Sequence, residues 1–146
     1  MGLSTSSFSF DNAVGLPAGP VRSGSPDICL VRPDAGRAVT TPGTTPVTGP
    51  CGGQGSTSWT LSNAGAVQAQ GLCLGWSGGT GVTLAGCTGA AGQRWSAGAG
   101  QRLVNAETGN CLDTVDGTLA VGVPVRLRSC GSWASQRWVL PYNGRR

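Results

Sequence analysis

Apolar side chains fall at every second position in short stretches of this chain, and no stretch runs long. Val125-Arg126-Leu127 and Trp138-Val139-Leu140 carry the period of two that lines one face of a β-strand. Turn signals fill the gaps, among them Ser77-Gly78-Gly79-Thr80-Gly81, Asp116-Gly117 and Asn143-Gly144. Gly and Pro recur every few residues, and each costs about 1 or 3 kcal/mol, respectively, in a helix interior. The pattern therefore predicts an all-β chain of short strands.

The cysteines order these strands into a repeat. Cys29, Cys73 and Cys111 are each followed by Leu, whereas Cys51, Cys87 and Cys130 are each followed, eight positions on, by a tryptophan: Trp59, Trp95 and Trp138. The tryptophans are spaced by 36 and 43 residues, a period in the range of repeat architectures. Each copy reads as about four short strands. A unit of about 40 residues cannot bury its own apolar face, but three units closing on one another can, and closure removes exposed sheet edges. The Cys-Leu leucines and the three tryptophans then form the inner layer. The spacing favours local pairing, Cys29–Cys51, Cys73–Cys87 and Cys111–Cys130. Such bonds close loops of roughly 14 to 22 residues, each worth about 3 kcal/mol in the loop-entropy picture. Six reduced, buried cysteines are the other reading.

Composition changes this picture in two ways. With 26 Gly, 9 Pro and only 11% charged residues in 146, the chain is turn-rich and charge-poor, but five Trp set it apart from a disordered one. It also has no His, and all ten basic residues are Arg. That excludes imidazole bases, Lys nucleophiles and His-ligated zinc. No Cys-x-x-Cys occurs, so neither a zinc ribbon nor a thioredoxin-like motif is present. No catalytic residue, metal or cofactor is expected. The net charge of +4 is spread over scattered arginines, apart from Arg126/Arg128 and Arg145/Arg146. This is not the dense basic stripe of a nucleic-acid binder. No apolar run reaches the ~20 residues of a membrane span.

Several of these residues together resemble the ricin-B-type (R-type) lectins. They are Gln93-Arg94-Trp95, Gln136-Arg137-Trp138, the run Thr108-Gly109-Asn110-Cys111-Leu112-Asp113, and the three local Cys pairs. The likeness covers roughly residues 19–141; the first copy departs from it, with Thr57-Ser58-Trp59 in place of Gln-x-Trp. It implies a β-trefoil, with repeats at about 19–61, 62–101 and 102–146 and an extended arm over residues 1–18. It also implies one shallow sugar pocket per repeat. There an Asp two positions after the first Cys accepts hydroxyl hydrogen bonds, and an aromatic two before the second Cys stacks on the sugar ring. Polar residues four before that Cys, and at and just before the Gln, complete it.

On this template the first copy carries Val31 and Gly49 where the Asp and aromatic belong, and the second carries Gly75 and Ala85. Only the third copy keeps the set, with Asp113, Arg126, Ser135 and Gln136, but Arg128 replaces the aromatic. Trp133 lies close by in sequence and could supply the missing platform, as could Trp76 in the second copy. Plainer roles stand beside these: a strand-end cap for Asp113, an internal backbone bond for Gln136, a solvated strand face for Arg126 and Arg128.

The expected function is a carbohydrate-binding module with at most one family-like pocket, in the third repeat, for galactose-type or other glycans. The alternative is a structural or display protein of degenerate lectin fold, anchored to a larger assembly such as a virion or cell-surface layer. Its anchor would be the arm, where Phe8 and Phe10 alternate. Either reading places the protein outside the cell or on a particle, as disulfides require an oxidising destination. Met1–Ser7 lacks the basic start and apolar core of a secretory signal.

Overall fold

With turn residues so frequent, no strand among the described residues exceeds the seven of Leu72–Gly78. The structure, a computed structural model, describes residues 18–25, 27–32, 42–52, 59–62, 64–69, 71–98 and 100–141. The arm expected over residues 1–18, Phe8 and Phe10 included, lies outside the described residues except for its last position. Asn143-Gly144 lies outside them too.

The strands are β1 (Ala18–Gly19), β2 (Arg22–Ser23), β3 (Ile28–Val31), β4 (Val47–Pro50), β5 (Trp59–Leu61), β6 (Val67–Ala69) and β7 (Leu72–Gly78). They continue as β8 (Gly81–Gly86), β9 (Trp95–Gly98), β10 (Arg102–Asn105), β11 (Cys111–Thr114), β12 (Val125–Arg128) and β13 (Trp138–Val139). They pair in three antiparallel sheets ordered β13-β2-β3-β4, β1-β5-β6-β7-β8 and β12-β11-β10-β9. In every sheet the last strand of one repeat pairs with the first strand of the next. Trp59 faces Ala69, Trp95 faces Asn105, and Trp138 returns to Ser23 in β2. The handover closes the chain on itself, and the fold is a β-trefoil.

A second ring of contacts closes the inner ends of the hairpins. Leu84 N–H donates to Thr44 O, Leu127 N–H to Thr80 O, and Thr48 N–H to Val123 O, each at 2.9 Å. All three donors sit three residues before the second Cys of their repeat. Repeat two thus bonds to repeat one, three to two, and one to three. Where the other repeats have Leu84 and Leu127, the first has buried Thr48. Its hydroxyl donates to Ala120 O and accepts from Val123 N–H at 2.9 Å.

The core repeats the same threefold logic. Trp59, Trp95 and Trp138 are buried, and each indole N–H donates to the carbonyl of the Leu after the first Cys. The pairs are Trp59 to Leu30 (2.8 Å), Trp95 to Leu74 (2.9 Å) and Trp138 to Leu112 (3.0 Å). A buried indole thereby contributes its large apolar area with no orphaned donor. Disulfides join Cys29–Cys51, Cys73–Cys87 and Cys111–Cys130 across sequence separations of 22, 14 and 19. Trp76, half-buried, packs against the core from the β7–β8 hairpin, and its indole donates to Gly79 O at 2.9 Å.

The chain enters and leaves this ring at one place. β1 pairs with β5, and a carbon added at Gly19 would stand 3.7 Å from Pro141 Cβ. Among the described residues no helix is long and apolar enough to cross a membrane.

Candidate functional site

The third repeat presents its polar residues on β11, β12 and the 3₁₀ turn Ala134–Gln136 that leads into Trp138. Gln136 locks that turn to the loop after the second Cys. Its Oε1 accepts from Gly131 N–H (2.7 Å), and its Nε2 donates to Ser129 O (2.9 Å) and Asp113 Oδ2 (3.1 Å). Gln93 does the same in the second repeat, accepting from Thr88 N–H at 2.8 Å and donating to Gly86 O at 2.9 Å. The Gln of both Gln-Arg-Trp motifs is thus an internal clamp on its loop.

Asp113 lies beneath the surface with no exposed area. Its Oδ1 accepts from Thr114 N–H at 2.6 Å, its Oδ2 accepts from Gln136, and Arg128 Nη1 stands 3.7 Å from the same oxygen. The β11–β12 register sets Arg126 opposite Asp113 and Arg128 opposite Cys111, so Arg128 reaches the carboxylate from the diagonal position. The other side of the Arg128 guanidinium is occupied as well: its central carbon lies 4.2 Å from the centroid of Trp133. A cation held over an indole at this distance is attracted by the ring quadrupole. Arg128 therefore bridges a buried carboxylate and a half-exposed aromatic.

An open cleft of about 350 Å³ adjoins this stack, lined by Asp116, Gly117, Leu119, Arg128, Trp133, Ala134 and Ser135. Of the residues singled out in the sequence, the cleft brings together Arg128, Trp133 and Ser135. Asp113 and Gln136 support it from below, and Arg126, half-buried with its Nε unpaired, does not line it. Asp116 and Leu119 were not anticipated. Asp116 is exposed and has a left-handed backbone, φ 61° and ψ 15°. Asp is among the few non-glycine residues that enter this region readily. The Asp116-Gly117 turn signal was legible; that it brings a second carboxylate to the cleft was not.

The corresponding positions in the other repeats are filled. A carbon added at Gly49 would meet Val31 Cγ2 at 2.9 Å, so Val31 occupies the place of the aromatic in repeat one. At Gly75 it would meet Gln93 Cγ at 2.7 Å, leaving no room for a carboxylate in repeat two. Among the described residues no group of three His, Cys, Asp or Glu is placed to hold a metal ion.

A sequence model of the ricin-type β-trefoil lectin domain matches residues 17–144. Among curated proteins none matches the chain. Solved structures resemble it at low identity, which establishes the fold. A non-toxic homologue of type II RIPs from Momordica charantia (bitter gourd), in complex with α-methyl-D-galactoside, aligns at TM-score 0.72 and 18% identity over 85% of this chain and 47% of that one. The C-half of an earthworm R-type lectin in complex with GalNAc aligns at 0.71 and 10% over 86% and 98%. GalNAc-T7 with UDP, GalNAc and Mn2+ aligns at 0.65 and 21% over 84% of this chain. The chain spans only 22% of GalNAc-T7 and about half of the bitter gourd protein.

Proposed function

The chain belongs to the ricin-type β-trefoil lectin domain family, and on that premise we propose that it is a carbohydrate-binding module whose site is the third-repeat cleft. The observation that carries this reading is the pairing, in one cleft, of an exposed aromatic with hydroxyl-recognising groups. Trp133 keeps 49% of its surface exposed, and Asp116, Arg128 and Ser135 line the same walls. An indole buries the C–H face of a sugar, a carboxylate accepts from vicinal hydroxyls and a guanidinium donates to ring substituents. The cleft is at the small end of the ~300–1,000 Å³ of ligand pockets, a size suited to one or two sugar units. The sugars bound by the bitter gourd and earthworm proteins support a galactose-type ligand.

Within this site Asp113 and Gln136 are positioning residues. They hold Arg128 and the loop of Trp133 in place before any ligand arrives, which lowers the ordering cost of binding. Binding without catalysis suits a chain with neither His nor Lys. Three disulfides suit an extracellular setting.

A glycan array followed by calorimetric titration tests the proposal. The oxidised protein should bind galactose-type glycans, and Trp133→Ala should weaken binding about tenfold, the loss of an aromatic contact worth roughly 0.5–1.5 kcal/mol beyond its area. A silent array, or full affinity in Trp133→Ala, would refute the site.

A further inference from the structure

Trp76 breaks the threefold plan. Three positions after the first Cys the other repeats carry Arg32 and Thr114, both buried, so the core does not require an indole there. Trp76 is half-buried: part of it packs against the core and the rest meets solvent. Its indole N–H donates to Gly79 O at 2.9 Å. That bond fixes the ring and leaves its hydrocarbon surface as what it offers a ligand.

A carboxylate from the next repeat lies beside it. Asn105 fastens the turn after β10 to the 3₁₀ turn Ala91–Gln93. Its Nδ2 donates to Gly92 O at 2.9 Å, and its Oδ1 accepts from the backbone N–H groups of Glu107 (3.1 Å) and Thr108 (3.2 Å). Ala106 N–H adds a bond to Arg94 O at 2.9 Å. Glu107, an exposed residue, is thereby held over Gly92. A carbon added at Gly92 would stand 3.1 Å from Glu107 Oε1, and 3.7 and 3.8 Å from Cβ and Cε3 of Trp76. Repeat three has Ser135 at this place. In repeat two the missing side chain leaves room for the carboxylate to lie near the edge of the indole, the positive part of an aromatic ring.

We propose that Trp76 and Glu107 form a second carbohydrate site, straddling repeats two and three, for a sugar unit with adjacent hydroxyls. It is not the pocket of the family template. Successive side chains of a strand point to opposite faces, so Trp76 leaves β7 on the other side from Gly75, which stands where the template has its Asp. The inference takes its class of ligand from the lectin reading but shares no residue with the third-repeat cleft. The indole buries the C–H face of the sugar, and Glu107 accepts from two adjacent hydroxyls. Both groups are held in place before a ligand arrives, which lowers the ordering cost of binding.

Titration with α-methyl-D-galactoside and N-acetyllactosamine, followed by NMR, tests the site. The indole N–H signals of Trp76 and Trp133, assigned with Trp76→Phe and Trp133→Phe, report the two places separately. The Trp76 signal should follow its own binding curve, in Trp133→Ala as in the parent. Glu107→Gln, an exposed change that leaves the fold intact, should weaken that curve about tenfold through loss of a charged acceptor, and should leave the Trp133 curve where it was. A Trp76 signal that stays still while that of Trp133 moves would overturn the second site and spare the lectin reading. So would a Trp76 curve indifferent to Glu107→Gln, or one that vanishes with Trp133→Ala. A Trp76 curve without a Trp133 curve would support the second site and overturn the third-repeat cleft. Silence of both signals would overturn both proposals.

Discussion

The Gln136 side chain carries more structure than its size suggests. Both ends of its amide are engaged, with Gly131, Ser129 and Asp113 as partners. Removing it takes one partner from a part-buried N–H, one from the carbonyl of an exposed residue, and the hydrogen bond from one oxygen of a buried carboxylate, which is then left with Arg128 alone. Gln136→Ala should therefore lower the unfolding free energy by about 2 kcal/mol, given roughly 1–3 kcal/mol for the one fully buried hydrogen bond that is lost. Trp133→Ala, half-exposed, should stay within about 1 kcal/mol of the parent. Guanidinium titrations of the two variants check this; similar midpoints would contradict it. The Gln-Arg-Trp motif was legible in the sequence because its spacing from Cys repeats. The concealment of Asp113 was not: whether that carboxylate meets solvent depends on where the long side chain of Arg128 lies, and a residue in a separate loop, Trp133, fixes that.

Among the elements, β4 departs from its two counterparts, β8 and β12. Its Thr48 replaces Leu84 and Leu127 at the place where each hairpin meets its neighbour, and the hydroxyl joins Ala120 O and Val123 N–H. Thr48→Val keeps the shape but orphans both groups, and should destabilise the fold by about 1–3 kcal/mol. Substituting Leu there to match the other repeats would add the strain of overpacking. Chemical denaturation of Thr48→Val measures the cost, and an unchanged midpoint would mean that water replaces the hydroxyl. The strands themselves were readable from alternation and turn residues. The bulge between Trp76 and Gly78 and the two-residue β1 were not, since register and edge pairing depend on partners distant in the chain.

Across the whole molecule, three disulfides hold a core made of few large side chains. Each is worth about 3 kcal/mol, whereas a domain of this kind has only ~5–15 kcal/mol in total. Reduction under native conditions should therefore unfold the protein or lower its Tm steeply, followed by tryptophan fluorescence as the buried indoles reach water. A reduced protein with an unchanged melting curve would show that the core suffices alone. The threefold plan was legible at this scale because the Cys-to-Trp offset recurs three times, and a ring of three repeats is how such units bury one another. Closure of that ring has a consequence of its own. Since Gly19 lies against Pro141, the backbone arrives and departs through a single doorway. A unit built this way can be spliced into a loop of a host protein, or strung beside copies of itself, without prising its host apart.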